Sequence, residues 1–436
     1  MRPLSILKTG LCSSALLLAP AISLASMGNL GTTYGLLPSD IASAQALSMF
    51  NTQVSSVYYN PAYLTHDLRG ELTAGLMHVE SDLQADSQNF GSYDVQDTDS
   101  QQILLGLKTD LSDITEFGQP IALGIMLGTE KYGKEMLAFS SRTAPYGQYF
   151  RGGRQPLFLN VGVGTKIFRG LDFGASILVT LRSSAELVAN TDLAGNTDYE
   201  SLDVTAKPTL RPILSLNMDW GETFCPDGQC WYNGMETAFT FRGHSDASVA
   251  VKANTIIPGT IPDPGLFINI ATVDAYQPNI YALGTQIKHD RWRVGLTVEM
   301  QQWSDLEDEL VNDTVKQNSG LEFKDIVIPR IGLEYQLTDM VGVTAGVAFE
   351  ESPLDSTDNP NVNYLDADRT VFGLGLTSTF DHVYGMRYPV RVDFGYQYHL
   401  LDKREFHVTS DQTGNDDYVE TDGEINVFGG SISMKF

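Results

Sequence analysis

Two cysteines are the residues of this sequence whose type and spacing most directly suggest chemistry. Cys225 and Cys230 flank the tetrapeptide Pro-Asp-Gly-Gln, and this spacing favours a disulfide across a tight turn in an oxidising compartment. Two free thiols are the alternative. A thioredoxin-type redox pair would need two intervening residues rather than four, and no His or further Cys lies close enough to complete a metal site. The sequence therefore predicts no metal ion and no cofactor.

Catalytic residue types come together at one place, where His244, Ser245 and Asp246 follow one another. These are the residue types of a hydrolytic triad. On a β-strand, however, adjacent side chains point to opposite faces, so the three cannot form a triad among themselves. We therefore do not expect an enzyme.

The composition indicates which elements carry these residues and which partners are excluded. The hydrophobic share of 42% comes with 40 glycines and 10% aromatic residues, and few segments have a helical pattern, which together indicate an all-β chain. The 54 acidic and 28 basic residues give a net charge of −26. Nucleic acid is excluded as a partner, because no surplus of cations is available to neutralise its phosphates.

The N-terminus predicts export. Arg2 and Lys8 form a basic region, Leu11–Leu24 an apolar region, and Ser23-Leu24-Ala25 a cleavage site with small residues at its ends. We interpret residues 1–25 as a signal peptide. A membrane anchor is disfavoured, because the apolar run is shorter than the roughly 20 residues that a spanning helix needs.

From about residue 70 onward, apolar and polar residues alternate with a period of two. In Trp292–Met300 the even-numbered residues are apolar and the odd-numbered residues are polar or glycine, and Arg391–His399 repeats this division. No later stretch is long and apolar enough for a transmembrane helix, so a membrane location would require a closed barrel. The alternating segments number about fourteen, with centres near residues 75, 105, 124, 162, 177, 214, 240, 283, 297, 331, 346, 375, 395 and 431.

A soluble β-sandwich also alternates, but three features favour a transmembrane antiparallel β-barrel over residues 67–436 in the outer membrane of a Gram-negative bacterium. Short turns alternate with long polar loops. Aromatic residues such as Trp220, Trp292 and Trp303 lie near predicted strand ends, as in interfacial girdles. The last segment, Phe428–Phe436, ends in an aromatic carboxy-terminus that resembles the signal read by the barrel-assembly machinery.

The predicted topology places long segments outside the cell, and much of the acidic charge lies in them. These acidic runs are solvated surfaces or bind divalent cations beside lipopolysaccharide phosphates. The predicted external segments are residues 129–155, 185–203, 250–275, 304–322, 351–366 and 403–423.

Residues 26–66 precede the first strand and consist mainly of small and apolar residues without its alternation. Such a segment is stable only if it is buried, and a lumen of about fourteen strands is either an aqueous pore or filled. We therefore expect residues 26–66 to form a lumenal hatch. Several glycines fall at inward-facing positions of their strands. Either the missing side chain leaves room there for the backbone of another segment to pack, or glycine is simply common in outer-membrane strands. These glycines are Gly106, Gly124, Gly162, Gly174, Gly295, Gly332 and Gly395.

Val54–Leu64, which contains Asn60, Pro61 and Ala62, resembles the hatch motif of the FadL/TodX family of outer-membrane transporters. Further blocks resemble, in order, the second half of that family. They are Tyr276–Gly284, Pro329–Tyr335, Gly346–Pro353 and Asp366–Arg369. The resemblance implies a fourteen-stranded barrel with a hatch, which takes up long-chain fatty acids or aromatic hydrocarbons and releases them sideways through a kink in its third strand. Gly124 and Gly128 could supply such a kink here.

The segment from residue 256 to residue 270 is unusually apolar for an external loop. Exposed apolar patches often mark interaction sites, so we expect a landing surface for hydrophobic molecules here, with a loop that packs on itself as the alternative. Its residues are Ile256, Ile257, Ile261, Leu266 and Phe267. Five inward arginines, which could meet a carboxylate ligand, are expected mostly to pair with Glu299, Glu334 or Asp393. They are Arg211, Arg242, Arg293, Arg330 and Arg391.

The sequence thus predicts a monomeric outer-membrane protein for passive uptake of hydrophobic molecules, with outer-membrane lipids, lipopolysaccharide and the assembly machinery as its other partners. A general porin and a structural or adhesive barrel are the alternatives. A porin would conduct ions through a steady aqueous channel, whereas an adhesin would bind surfaces without transport.

Overall fold

The computed structural model describes residues 30–89, 91–94, 100–114, 118–131, 157–191, 197–225, 229–257, 261–311, 321–358, 366–381, 383, 387–409 and 416–436. The predicted signal peptide, residues 1–25, lies outside these ranges.

Strands dominate the described residues. Fourteen of them form the barrel: β1 (Glu71–Ser87), β3 (Ser100–Asp110), β4 (Ile121–Lys131), β5 (Leu157–Phe168), β6 (Leu171–Thr191), β7 (Thr197–Asp219), β8 (Met235–Arg242), β11 (Asn279–His289), β12 (Trp292–Gln302), β13 (Ile326–Gln336), β14 (Val341–Glu350), β15 (Arg369–Phe380), β16 (Val390–Thr409) and β17 (Asp416–Lys435). Three more lie outside the barrel order: β2 (Gly91–Asp94), β9 (Ser245–Ile257) and β10 (Ile261–Gln277).

The barrel closes where its last strand pairs with its first. β1 and β17 are antiparallel from Glu71 opposite Lys435 to Ser87 opposite Val419, and β17 pairs with β16 on its other edge. Each remaining barrel strand pairs with the next barrel strand along the chain. All fourteen predicted strand centres fall in separate barrel strands, which confirms the predicted fold class.

The period-two pattern divides each strand between lipid and lumen. On β3 the side chains of Ile103 and Leu105 are more than half exposed, whereas those of Gln102 and Lys108 are buried inside. The exposed band is apolar because it faces hydrocarbon, and the polar residues point inward, where other protein groups can satisfy them.

Three predicted external loops are largely strand. β6 and β7 pair as far as Thr191 opposite Thr197, and β16 and β17 pair as far as Thr409 opposite Asp416. β9 and β10 form a hairpin, and β9 also pairs in parallel with Ser183–Asn190 of β6. These strands continue beyond the barrel wall, in segments that the predicted topology assigns to external loops.

Short helices occupy the N-terminal segment and some connections between strands. The segment contains α1 (Leu30–Thr33), α2 (Pro38–Ala42), α3 (Ser56–Tyr59) and 3-10 helices at Ser48–Phe50 and Pro61–His66. Elsewhere lie α4 (Trp220–Phe224), α5 (Leu306–Leu310) and a 3-10 helix at Ser112–Ile114. Among the described residues, no helix has the length and apolar character needed to cross a membrane.

The N-terminal segment, residues 30–66, lies inside the barrel. Its α2 contacts β14 to β17, whereas the 3-10 helix Pro61–His66 contacts β4 to β7 on another side of the wall. Nearly all its side chains from Tyr34 to Leu64 are buried. The lumen of this barrel is therefore filled by the chain itself.

Inward glycines allow the backbone of the segment to touch the wall. A Cβ atom added to Gly346 would lie 2.0 Å from the carbonyl oxygen of Ser43, and one added to Gly395 would lie 2.3 Å from that of Pro38. One added to Gly174 would lie 2.1 Å from the backbone nitrogen of Ala62. Close approach, rather than mere abundance, therefore accounts for these glycines.

Replacement of Gly346 by Ala should loosen the N-terminal segment, because the new methyl group overlaps the backbone of Ser43. We expect a cost of about 1–3 kcal/mol, typical of overpacking, and faster proteolysis within residues 30–66 of the folded barrel. Gly430→Ala is the matched control, because the nearest atom to its added Cβ lies 4.0 Å away. Equal proteolysis of the two variants would contradict the close packing.

Candidate functional site

The outer half of the lumen contains a continuous cluster of buried apolar side chains, here called the outer apolar cluster. The barrel wall supplies Met77, Val79, Ile328, Val371 and Val427 among others. Tyr34, Ile41 and Ala44 of the N-terminal segment close it from below. The outer part of the lumen is therefore packed with apolar side chains.

External connections cover the outer apolar cluster. Leu306 and Leu310, one turn apart on α5, point into it, and Phe323 and Leu354 join them. The backbone amide of Phe323 donates to Glu307 Oε1 at 2.8 Å, which ties the connection to α5. We call these parts, residues 303–311, 321–325, 351–358 and 366–368, the cap.

Arg404 of β16 holds one side of the cap. Its guanidinium donates to Ser352 Oγ at 2.9 Å, to the Leu354 carbonyl at 2.7 Å and to the Asp366 carbonyl at 3.1 Å. Asp366 itself accepts a 3.0 Å hydrogen bond from Ser352 Oγ. Burial raises the pKa of Asp366 to about 6, although Arg369 and this hydrogen bond act in the opposite direction. The cap thus contains a buried carboxyl group with weak acidity.

A belt of charged residues lies below the outer apolar cluster. Arg242 pairs with Glu299, and Arg330 lies 4.0 Å from the other oxygen of that carboxylate. Arg293 pairs with Glu334 at 2.7 Å, and Arg391 with Asp393 at 2.9 Å. The expected pairing of the inward arginines is therefore observed for Arg242, Arg293 and Arg391.

The belt also holds the N-terminal segment. Arg330 donates to the carbonyl of Ala44 at 3.2 Å, and Arg293 to that of Phe50 at 2.9 Å. Gln53 Nε2 donates to Asp393 Oδ2 at 3.2 Å. A buried polar group that loses its hydrogen-bond partner costs free energy unless another group takes the place of that partner. The segment can therefore move only if new partners replace the belt residues.

The base of the lumen is polar. A cavity of about 280 Å³ lies between Asn51 and Thr52 of the N-terminal segment and Lys288, Arg293 and Arg391 of the wall. At the end of the barrel where β1 begins and β17 ends, Asp67 accepts hydrogen bonds from Arg69 at 2.8 Å and from Lys435 at 2.6 Å. Although burial opposes the effect, these cations hold the pKa of Asp67 well below its usual range. The polarity of the lumen therefore increases towards its base.

The predicted hatch motif lies against the inner wall. Asn60 donates from Nδ2 to the carbonyl of Met49 at 2.7 Å, and the Ala62 amide donates to Ser215 Oγ at 2.8 Å. Pro61 begins the 3-10 helix, and its carbonyl would lie 2.4 Å from a Cβ atom added to Gly164. All three residues are buried. They join the end of the N-terminal segment to β5 and β7.

The predicted landing residues belong to the strands of the β9–β10 hairpin rather than to a loop. Ile257 pairs with Ile261, Leu266 with Thr255 and Phe267 with Asn254. Leu266 and Phe267 are 49% and 59% exposed. Ile256 is half-buried, and the side chains of Ile257 and Ile261 lie outside the described part of the structure. An exposed apolar pair is thus present on β10.

Gly124 and Gly128 lie on the third barrel strand, β4, and both face inward. The pairing of β4 with β3 and with β5 runs through both glycines without a register shift, so neither forms a bulge in this conformation. A Cβ atom on Gly124 would lie 2.1 Å from Val57, and one on Gly128 would lie 2.4 Å from the Phe158 ring. The space left by the missing side chains of these two glycines is occupied by Val57 and Phe158.

The remaining chemical candidates have structural positions. Cys225 and Cys230 are joined by a disulfide in the turn after α4. His244 is exposed whereas Ser245 is buried, so the two side chains do not meet. Trp303, expected at the membrane interface, is instead a buried residue at the start of the cap and donates to Gln301 Oε1 at 2.8 Å. Its indole nitrogen finds a partner inside the lumen.

Sequence reasoning missed the cap. Its only visible signal is the spacing of Leu306 and Leu310, which places both on one face of a helix within an acidic run. Arg404 and Asp366 have no signal of their own, because their partners are backbone carbonyls and a serine far away in the sequence.

Comparisons with known proteins identify the family. Residues 235–436 match the model of the outer-membrane protein transport protein family (OMPP1/FadL/TodX). The chain is 52% identical to alkane uptake protein A of Marinobacter nauticus over 418 residues, which are 94% of this chain and 92% of that protein. This chain belongs to the FadL/TodX family. The predicted family resemblance is confirmed.

Solved structures agree with the fold of this FadL/TodX-family protein. A FadL homologue of Pseudomonas aeruginosa matches with a TM-score of 0.62 at 13% identity, covering 92% of this chain and 98% of that one. The toluene transporter TodX of P. putida matches with a TM-score of 0.54 at 12% identity, covering 93% and 99%. The predictions of a fourteen-stranded barrel, an outer-membrane location and a transporter for hydrophobic compounds are confirmed.

Asp366→Asn should remove a pH-dependent contribution to the stability of the cap. Because the folded protein holds the Asp366 proton more tightly than the unfolded chain, the free energy of unfolding falls as pH rises from about 4 to about 6. The neutral variant lacks this fall, so its thermal midpoint relative to the native protein should rise over that interval and then level off. Asp308→Asn, at an exposed position on α5, is the control, and a pH-independent difference for Asp366→Asn would refute the assignment.

Proposed function

We propose that this FadL/TodX-family transporter takes up n-alkanes. The observation that carries the proposal is the outer apolar cluster, a hydrocarbon-lined region inside the lumen beneath the cap. Each CH₂ group moved from water to such surroundings gains about 0.8 kcal/mol, which would draw a long alkane inward. The relative that shares half of its residues with this chain is an alkane uptake protein.

The charges of the lumen favour an alkane over a fatty acid. A carboxylate entering a low-dielectric lumen needs a cation with free capacity. Arg242, Arg293 and Arg391 already pair with Glu299, Glu334 and Asp393, and Arg369 near the cap pairs with Glu350. A neutral hydrocarbon makes no demand on these pairs.

Residues 26–66 act in this proposal as the hatch, with Asn60, Pro61 and Ala62 at its attachment to the wall, after removal of residues 1–25 as a signal peptide. The polar belt and base oppose passage of an alkane straight down the lumen. Release is therefore sideways through the wall. Gly124 of β4 contacts Val57 and Leu64 of the segment, so movement of the hatch would free β4 to open at Gly124 and Gly128.

Other partners follow from the surface. The aromatic terminus Phe436 is exposed at the end of β17 and would be read by the barrel-assembly machinery. The exposed apolar band would contact outer-membrane lipids, and the acidic external residues would lie beside lipopolysaccharide. The closed sheet needs no second copy, so we propose a monomer.

A deletion strain of the source bacterium tests the substrate. Uptake of labelled n-hexadecane, oleate and toluene is measured with and without the cloned gene. We expect rescue of hexadecane uptake, with less effect on oleate because Arg242, Arg293 and Arg391 already pair with carboxylates. Rescue of none of the three, together with steady ion conductance in bilayers, would instead identify a porin.

A reversible cross-link tests the hatch. A Cβ atom on Gly332 would lie 3.0 Å from the Cβ of Ala46, close to the 3.5–4.5 Å span of a disulfide. We expect the double variant Ala46→Cys/Gly332→Cys to lose hexadecane uptake when oxidised and to regain it with a reductant. Both single variants and the native protein, each with and without reductant, control for the natural disulfide Cys225–Cys230. Full uptake by the cross-linked protein would exclude movement of this part of the hatch.

The landing surface is tested on β10. Leu266→Ser/Phe267→Ser removes the exposed apolar pair, and we expect a higher hexadecane concentration for half-maximal uptake with the folded barrel intact. Val311→Ser, at an exposed apolar residue of the cap, is the control. If both variants transport like the native protein, the landing role of β10 is wrong.

A further inference from the structure

One arginine holds both ends of the external hairpin. The chain leaves the barrel at Gly243, forms β9 and β10, and returns at Pro278. Arg211 of β7, fully buried, donates from Nε to the Gly243 carbonyl and from Nη2 to the Pro278 carbonyl at 2.9 Å. Its Nη1 donates to Gln277 Oε1 at 2.8 Å. The planar guanidinium, with its fixed fork of donors, therefore clamps the base of the hairpin.

The acceptors of Arg211 distinguish it from the arginines of the belt. Its hydrogen bonds go to two carbonyls, one side-chain amide and, at 3.5 Å, the hydroxyl of Tyr58. Arg242 and Arg293 instead bond to carboxylates. Hydrogen bonds from a cation to neutral oxygens are weaker than those to carboxylates, so the clamp at Arg211 can exchange partners more readily than the belt can.

Gln277 connects this clamp to the N-terminal segment. Its Oε1 atom accepts from Arg211 and also from Thr32 Oγ1, at 3.1 Å. Thr32 in turn contacts the hydroxyl of Tyr58, and its carbonyl accepts from Gln45 Nε2 at 3.0 Å. One amide oxygen is therefore shared between the barrel wall, the hairpin and the hatch.

We propose that Gln277 and Thr32 are positioning residues that couple the external hairpin to the hatch. Gln277 is the last residue of β10, the strand that carries Leu266 and Phe267. A hydrocarbon that displaces these side chains moves β10, and β10 transmits the movement to Gln277 because its pairing with β9 runs from Leu266 to Val273 and, after a register shift, from Ala275 to Gln277. Thr32 then loses its hydrogen bond to Gln277, and the start of the hatch is released.

This coupling rests on the proposed function, since it assumes that hydrocarbon lands on β10 and that the hatch moves. It adds a specific connection between the two events, which otherwise lie on different parts of the chain. The proposal is that the exposed residues of β10 and the hatch are coupled, so a change at one of these sites must alter the response at the other.

The test uses a thiol in the hatch as a reporter. Ala46→Cys places a thiol at a buried position of the segment, and its rate of labelling by a membrane-impermeant maleimide is measured in outer-membrane vesicles with and without n-hexadecane. The native protein, whose Cys225 and Cys230 form a disulfide, measures the background. We expect hexadecane to accelerate labelling of the introduced thiol in the Ala46→Cys variant.

An isosteric pair of substitutions at Thr32, each made in the Ala46→Cys variant, isolates the hydroxyl. Thr32→Val keeps the shape and loses the hydrogen bond, whereas Thr32→Ser keeps the hydroxyl. We expect Thr32→Val to reduce the hexadecane-dependent acceleration by about fivefold or more, the lower end of coupling between sites, and Thr32→Ser to preserve most of it. Gln277→Leu should behave like Thr32→Val.

A combined variant separates coupling from a purely structural role. If Thr32 transmits the signal from β10, adding Thr32→Val to Leu266→Ser/Phe267→Ser causes no further loss of the acceleration. Losses that multiply would mean independent effects and would overturn the proposal, as would a native response in Thr32→Val or no response of the reporter thiol to hexadecane at all. Hexadecane uptake in the deletion strain is scored separately, so failure of the coupling with intact uptake leaves the transport function standing.

Discussion

The structure depends on one requirement of the membrane, that no backbone N–H or C=O group can be left without a partner in hydrocarbon. A β-sheet meets this requirement only if its two edges meet, and here they meet in the pairing of β1 with β17. Closure encloses a lumen, and a lumen bounded by fourteen strands is too wide for wall side chains alone to fill. The remaining parts of the structure fill or cover this lumen.

The chain fills the space with its own N-terminal residues, and the wall is adapted to them at the backbone level. Gly346, Gly395 and Gly174 meet carbonyl or amide groups of the segment where any side chain would collide. Above this contact layer the lumen is apolar, and below it charged pairs such as Arg293 with Glu334 predominate. A neutral hydrocarbon therefore meets favourable surroundings from outside and unfavourable ones further in, which is why the proposed function assigns transport to a hatch and the wall rather than to a vertical channel.

Much of the barrel is predictable because lipid and lumen impose opposite preferences on alternate residues. The nine residues Trp292–Met300 alternate so regularly that their lipid-facing and lumen-facing side chains can be assigned from the sequence. The inward positions of Arg293 and Arg391 likewise predict their carboxylate partners, Glu334 and Asp393. Outside the membrane this contrast is no longer imposed by lipid. β9 and β10 are predicted as an external loop because the strand count places them between two barrel strands. The cap escapes prediction, since Arg404 bonds to backbone carbonyls that no residue type reveals. The prediction for Trp303 is wrong for a related reason, because an amphipathic ring suits a buried polar partner as well as a membrane interface.

The seam between β1 and β17 has a consequence for the order of assembly. Its partners, such as Leu72 and Met434, lie more than three hundred residues apart, so the cylinder cannot close until the last strand has arrived. The N-terminal segment precedes β1 in the chain and contacts late strands such as β16 and β17 from within. Its contacts with the wall are complete only when these last strands are present, so its packing and the closure of the seam depend on the same strands. Misplacement of the residues ahead of β1 would therefore impair the folding of the barrel and not only its transport activity.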